Sequence, residues 1–414
     1  MAQTDPKLQI VPSRQAVATD AGIALDVLIR VVPPAPEVHV LRPPINLGLV
    51  LDHSGSMASG RKIEHAREAA AFAVRSLLPT DRVSVTIFDD EVTTLIASTP
   101  ATDKDRIERK IRGIEPDGST ALHAGWAEGS RQVLAHRDPR GLNRVLLLSD
   151  GLANVGLTDP QAITDEVKGA LAHGASTTAI GVGDDYNEDL LEAMAAAGDG
   201  NYYYVESSKQ LADLFQTELQ GLMATTGKRV SLGIEPRPGV AVLDVLNDLP
   251  KNPNGRLMLP NLAVGMPVDV VVRLAVSEMR RGGEILGVRL AWDEPGHEGR
   301  RSLRVAMKLV AIHKADWDKL EVSKPVAEAV ALLEVARLKK RATEANDRGD
   351  RSGSAELLGQ AKGVAAAAPA TAATQAEILA ISQLETALDK NLDAAFRKSA
   401  RYQNYTRSRN RPAT

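Results

Sequence analysis

Asp52, Ser54 and Ser56 stand at alternate positions in "DHSGS", where the apolar run "NLGLVL" ends. Alternate residues of an extended chain point the same way, so one turn can present a carboxylate and two hydroxyls together. Two other segments end in similar donors. Thr120 follows a Gly-Ser turn in "PDGSTALHAGW", at the start of a helical pattern, and Asp150 ends the apolar run "RVLLLSD". Carboxylate and hydroxyl oxygens are hard ligands that suit magnesium, manganese or calcium. One turn cannot fill an octahedral shell, so the three segments must converge if they are to hold an ion.

Other chemistry fits these residues less well. Gly55 and Gly60 have the spacing of half a phosphate-binding loop, but Arg61 and Lys62 stand where that loop needs Lys and then Ser or Thr. A serine nucleophile at a sharp turn needs flanking glycines in Gly-x-Ser-x-Gly, and neither Ser54 nor Ser56 has them. His53 and His123 are available bases, with no orienting acid evident. Taken singly, Asp52 and Asp150 read as strand-end caps and Ser54, Ser56 and Thr120 as turn or N-cap residues. Their order and their placement at element ends favour the metal site. Asp184, Asp185, Glu188 and Asp189 offer a second calcium site, but an acidic helix start is the commoner reading. Asp117 either orients the Thr120 loop or forms its turn.

The elements around these residues alternate. From 45 to 225 continuous apolar strands ("INLGLVLD", "RVSVTIFDD", "RVLLLSD", "STTAIGVG", "NYYYVE") are separated by amphipathic helices. That pattern predicts a doubly wound, mostly parallel sheet covered on both faces. "FDDEVTTL" predicts a hairpin with one antiparallel edge strand. Asp52 then lies at the C-terminal edge of the sheet, where open α/β folds bind ligands. Residues 7–33 read as two strands and 226–315 as six, spaced as in a β-sandwich. Two strands alone are not stable, so the N-terminal pair is expected to complete that sandwich, with the α/β domain inserted. The expected division is 1–44 N-terminal strands, 45–225 α/β domain, 226–315 remaining sandwich, 316–400 helical region and 401–414 basic tail. "PPAPEVHVLRPP" reads as a proline-rich connector and "AAAAPATAAT" as a linker. In 324–346 Val326, Val330, Leu333 and Leu338 suggest one buried stripe.

The 414 residues carry 50 basic and 53 acidic side chains, a net charge of -3, and no cysteine. Disulfides, thiolate metal sites and cysteine nucleophiles are thereby excluded. The balanced charge argues against a dedicated nucleic-acid binder. The basic tail, with Arg397, Lys398, Arg401, Arg407, Arg409 and Arg411 and interleaved Tyr402 and Tyr405, is expected to be a solvated, partly disordered end. No apolar window approaches a membrane span, and the first residues lack the pattern of a secretory signal. The expectation is a soluble, cytoplasmic protein.

"DHSGS", "GSTAL" and "LLLSDG" match, in order, the three ligand loops of the von Willebrand factor A-type domain with a metal-ion-dependent adhesion site, and residues 45–222 resemble that domain. The flanking regions resemble, more loosely, bacterial proteins with this domain set in a β-sandwich. The resemblance implies that Ser54, Ser56 and Thr120 bind a divalent ion, Mg2+ or else Mn2+ or Ca2+, through their hydroxyls. Asp52 and Asp150 would contact it directly or through water. It further implies a binding protein, not an enzyme, whose ion coordinates an Asp or Glu of a protein partner. The alternative it implies is an accessory subunit of an ATP-driven remodelling or metal-insertion complex, with the ATPase as a separate chain.

Overall fold

The computed structural model describes residues 5–34, 42–389 and 394–411. Strands β1 (Lys7–Pro12), β2 (Ala16–Ala18) and β3 (Ile23–Val32) come first. There follow β4 (Ile45–Asp52), α1 (Lys62–Ser76), β5 (Arg82–Phe88), β6 (Val92–Pro100), α2 (Lys104–Arg112) and α3 (Leu122–Ala135). Next are β7 (Leu142–Ser149), α4 (Pro160–Ala172), β8 (Ser176–Val182), α5 (Glu188–Ala197), β9 (Asp199–Val205) and α6 (Leu211–Met223). The later strands are β10 (Thr225–Pro236), β11 (Val240–Val245), β12 (Leu257–Met258), β13 (Leu262–Ala263), β14 (Val268–Val276), β15 (Gly283–Asp293) and β16 (Arg300–Ile312). Five helices close the described chain: α7 (Lys314–Trp317), α8 (Lys324–Asp347), α9 (Arg351–Ala367), α10 (Ala372–Asp389) and α11 (Ala394–Arg409). The elements fall into two compact units, one running from β4 to α6, the other combining β1–β3 with the elements from β10 onward.

The first unit is a six-stranded sheet in the order β6-β5-β4-β7-β8-β9. Its strands are parallel except β6, which forms the expected antiparallel edge hairpin with β5. Every residue of β4 and β7 is buried, as a parallel sheet covered on both faces requires. Central strand β4 pairs with β5 on one side and β7 on the other. The chain's direction of travel reverses there, so a crevice opens beyond the carboxyl end of β4. Asp52 is the last residue of that strand.

Helix α3 lies unusually close to the sheet. A Cβ on Gly48 would sit 2.7 Å from Val133 Cγ2, one on Gly125 2.5 Å from the Phe88 ring, and one on Gly129 2.1 Å from Val50 Cγ2. Glycine at these three contacts lets the helix pack down, and the loop ahead of α3 is thereby brought to the crevice. The helix is also pinned to edge strand β6. Glu128 accepts from Thr94 Oγ1 (2.6 Å) and Gln132 Nε2 (2.8 Å), while Gln132 Oε1 accepts from Ser98 N–H (3.0 Å).

The second unit contains two sheets, β1-β3-β14-β11 and β12-β10-β15-β16-β2, with β13 also paired to β10. Alternate residues of β3 (Leu25, Val27, Ile29, Val31) and β14 (Val268, Val270, Val272, Leu274) share one buried cluster with Val230 and Leu232 of β10 and Leu286, Val288 and Leu290 of β15. The opposite face of β3 and β14 is covered by helix α8: Leu28, Val271 and Leu246 meet Val326 and Leu333. The N-terminal segment has a strand the sequence reading missed. "AVA" (β2) pairs in parallel with the end of β16, and three residues are too few for periodicity to register.

The helical region differs from expectation in three respects. α8 buries two faces, not one stripe: Val326 and Leu333 meet the sheet, while Val335, Leu338 and Ala342 meet α9 and α10 residues such as Leu358 and Ile381. The expected linker shrinks to the turn between Ala367 and Ala372. The tail expected to be solvated is helical to Arg409, with Tyr402 and Tyr405 buried. Its charges are answered within the chain, Arg401 by Asp347 (3.0 Å), Arg407 by Glu377 (3.1 Å) and Arg409 by Asp248 (3.4 Å). Most of the proline-rich connector, residues 35–41, lies outside the described residues, as do 412–414 of the tail.

Two outcomes follow. Gly129→Ala has nowhere to place its methyl and should lower unfolding free energy by about 1–3 kcal/mol, read by denaturant titration. The Glu128 carboxyl is held down to about 2, chiefly by its hydrogen bond from Arg131. A depressed carboxyl contributes stability above its unfolded value and loses it as pH falls through the folded one. Glu128→Gln should therefore be less stable than the parent at pH 7, and the gap should close between about pH 4.5 and 2 in pH-resolved melts.

Candidate metal centre

The first loop leaves β4 as an extension of the sheet: His53 N–H donates to Phe88 O (3.0 Å). The chain then folds back on Asp52. Ser54 N–H donates to Asp52 Oδ1 (2.9 Å), and Ser149 Oγ donates to Oδ2 (2.6 Å). Both oxygens of this fully buried carboxylate are thus engaged within the protein. Met57, also fully buried, anchors the short turn that follows. Gly60 (φ 59°) and Arg61 (φ 58°) take left-handed conformations that swing the chain into α1.

The second loop is stitched to the first by the backbone. Asp117 N–H donates to His53 O (2.8 Å) and Gly55 N–H to Gly118 O (3.1 Å). Asp117 is exposed, and its Oδ1 accepts from Gly118 N–H (2.8 Å), so it serves as a turn-former. Gly118 (φ 64°) cannot be replaced cheaply, since a Cβ there would fall 1.9 Å from Asp90 Oδ1. Beyond this turn Thr120 is buried.

The third loop follows β7. Fully buried Asp150 accepts from Ser56 Oγ at Oδ1 (2.6 Å) and from Lys62 Nζ at Oδ2 (2.7 Å). A Cβ on Gly151 would lie 2.9 Å from Thr120 Oγ1, so the threonine hydroxyl abuts the residue next to Asp150. Thr120 N–H donates to Asn154 Oδ1 (3.1 Å), and Asn154 N–H returns a bond to Thr120 O (3.3 Å).

The structure therefore brings together all five residues singled out in the sequence. Ser54 Oγ and Ser56 Oγ are 3.1 Å apart, Ser56 reaches Asp150, and Thr120 lies against Gly151. Burial pushes the Asp52 carboxyl up to about 6; hydrogen bonds from Ser149 and Ser54 oppose the rise and the Asp150 charge adds to it. A cation placed here would relieve that burden. The donor set is all oxygen, three hydroxyls and one carboxylate, with Asp52 behind them. It fits a hard divalent ion far better than zinc or copper.

Sequence reasoning missed three contributors. Ser149 and Asn154 are ordinary loop or strand-end residues, with no signal short of the fold. Lys62 gave none either: a lysine in a helix's first turn is only mildly disfavoured by the dipole, and Lys104 in the first turn of α2 donates to carbonyls instead of to an anion. The acids near α5 do not gather into a second site. Asn187 caps the helix (Oδ1 to Leu190 N–H, 3.1 Å), and Glu188 and Asp189 fill its first turn. Among the described residues no helix is long and apolar enough to cross a membrane.

Three comparisons bear on this geometry. The uncharacterized protein YfbK of Escherichia coli is 29% identical over 197 residues, covering 47% of this chain but 34% of that protein. Thus the chain spans about a third of that relative's length. The uncharacterized protein sll0103 of Synechocystis is 26% identical over 333 residues, covering 77% of this chain and 78% of its own. A solved von Willebrand factor type A protein from Catenulispora acidiphila superposes with a TM-score of 0.72 at 15% identity, over 98% of this chain and 97% of its own. That likeness concerns the fold. Residues 46–217 match the family model of the von Willebrand factor type A domain. The unit that carries Asp52, Thr120 and Asp150 is a von Willebrand factor type A domain.

Proposed function

We propose that this domain holds one divalent cation, Mg2+ with Mn2+ or Ca2+ as substitutes, and uses it to bind a carboxylate of a protein partner. Domains of this family commonly mediate metal-dependent protein interaction. In this reading Ser54, Ser56 and Thr120 supply hydroxyl ligands, and Asp150 supplies a carboxylate directly or through water. Asp52 acts from behind, because Ser54 N–H and Ser149 already occupy both its oxygens. The observation that carries the reading is the convergence of these donors from three loops onto the switch point of the sheet.

Neutral hydroxyls leave a bound ion short of negative charge. The site would thereby let a bound ion take an Asp or Glu side chain of an approaching surface in place of a water. Leu152, 56% exposed two residues after Asp150, offers an apolar contact beside that carboxylate. The chain then acts as a binding protein and not as an enzyme. The two imidazoles first considered as bases do have acids beside them, Asp89 near His53 (3.6 Å) and Glu166 at His123, where the sequence showed none. His53 Nδ1 contacts Glu115 O (3.0 Å), and His123 Nε2 contacts Glu166 Oε2 (2.9 Å). We further propose that the two sheets of the second unit form a β-sandwich, into whose sequence the domain is inserted.

Calorimetric titration of chelator-treated protein with MgCl2 should give saturable one-to-one binding. It should be lost in Asp150→Ala and in the double variant Ser54→Ala, Ser56→Ala. Absence of binding with Mg2+, Mn2+ and Ca2+ alike, or binding that survives both variants, would overturn the assignment. Ser149→Ala touches no proposed ligand but leaves a buried carboxylate oxygen unpaired. It should cost about 1–3 kcal/mol of stability, while weakening magnesium less than loss of the serine pair does.

A further inference from the structure

The side chain of Lys62 is not among the ligands, yet it is bound to one. Its ammonium donates to Asp150 Oδ2 at 2.7 Å. Asp150 is fully buried, and Lys62 is 14% exposed. The lysine is held in place from several sides. It opens α1 immediately after the left-handed pair Gly60 and Arg61, and Gly60 O accepts from Ser208 Oγ (3.3 Å). The backbone at Gly183 (φ 75°) passes beside the ammonium, with a Cβ position there 3.4 Å from Nζ, an ordinary contact distance. The turn fixes the stem, and the loop at Gly183 flanks the charge.

Two features make this contact more than a surface ion pair. First, apart from the lysine its acceptor takes a hydrogen bond only from Ser56 Oγ (2.6 Å), itself a proposed ligand, whereas Asp52 is held at both oxygens by groups that are not ligands, Ser54 N–H and Ser149 Oγ. Second, the lysine pays for its position. A positive charge in the first turn of α1 is opposed by the helix dipole, and a charge pair taken out of water needs close partners to be tolerated. A lysine stem reaches far enough to leave such a place for water. This one instead turns inward to the carboxylate.

We propose that Lys62 is a built-in competitor of the divalent ion: its ammonium and the ion draw on the same Asp150 carboxylate, and the lysine sets the ion's affinity. The inference rests on the metal reading above. A unit positive charge fixed on a ligand repels any cation that the ligand approaches, whether the lysine stays or must be displaced. Either route weakens binding. The lysine also compensates Asp150 by itself, so the fold does not depend on the ion for that charge. The consequence is a site that loads only where the ion is abundant, or where a partner carboxylate adds to the attraction.

Lys62→Met removes the charge and keeps most of the stem. Three results are expected. In excess chelator the variant melts below the parent, because Asp150 is left uncompensated. Titration with MgCl2 or MnCl2 gives a dissociation constant lower than the parent's by on the order of tenfold. Saturating magnesium raises the melting temperature of the variant more than that of the parent, as linkage requires of the tighter complex. Lys62→Arg retains the charge and should stay close to parental affinity. Lys62→Gln still donates an uncharged hydrogen bond to Asp150, and it should tighten binding even if the methionine variant folds poorly. The outcomes separate the two claims. If the parent binds the ion and neither uncharged variant binds it more tightly, the competitor role is overturned and the metal site stands. If neither the parent nor any variant binds Mg2+ or Mn2+, both fall together.

Discussion

A charged group without solvent, set at the end of the central strand, governs the architecture of this domain. Asp52 is buried on every side, and a buried carboxylate must be answered by hydrogen bonds or cations, or take up a proton. Ser54 N–H and the Ser149 hydroxyl give the first answer. Neither donor is free to move. Ser54 N–H can reach Oδ1 only if the chain turns back at once after β4, which is what lines up the Ser54 and Ser56 hydroxyls. Ser149 can reach Oδ2 only if β7 runs beside β4 in its observed register, with Leu51 opposite Leu148. The carboxylate thus couples the turn, the strand pairing and the position of Asp150.

The remaining support comes from packing. Three glycines at the contact between α3 and the sheet let the helix approach until side chains on either side interlock, at the density expected of a protein interior. That approach carries the Thr120 loop to the crevice. The backbone bonds from Asp117 and Gly55 then lock the first two loops together. Ligand placement here is a property of rigid strand ends and backbone hydrogen bonds. The side chains themselves are short, so they lose little conformational freedom on being fixed.

Much of this was legible in the sequence, for physical reasons. Strands buried on both faces leave unbroken apolar runs, so β4 and β7 and their terminal acids stood out. The antiparallel edge strand followed from the brevity of "FDDEVTTL". The donors Asp52, Ser54, Ser56, Thr120 and Asp150 were visible because oxygen-bearing residues interrupt those runs abruptly. Contacts made at a distance left no such trace. Ser149 and Asn154 acquire their roles only through register and loop closure, and β2 is too short for a period. The tail misled for a different reason. Its arginines look solvated when read in one dimension, but Asp248, Asp347 and Glu377 that neutralise them lie far away in sequence. Helix α8 misled likewise, since a helix buried on two faces has no single stripe.

The pairing of β3 with β14 has a consequence for the order in which the molecule is made. Arg30 and Asp269 form a two-pronged ion pair across those strands although 239 residues separate them. A ribosome delivers β3 early and β14 late, and the whole von Willebrand factor type A domain emerges between them. The strands of that domain pair only with one another, so its sheet does not wait for β14. The domain is therefore free to complete its own sheet while the first strands still lack their neighbours. Those strands are apolar and carry unsatisfied edges until then. The last described residues close the same sheet: Asn410 exchanges hydrogen bonds with the backbone of Asp269 through both atoms of its amide (3.2 and 2.7 Å). Strands β1 and β3 are thus made before that domain and fully covered after it, and in that interval their open edges are exposed to wrong partners.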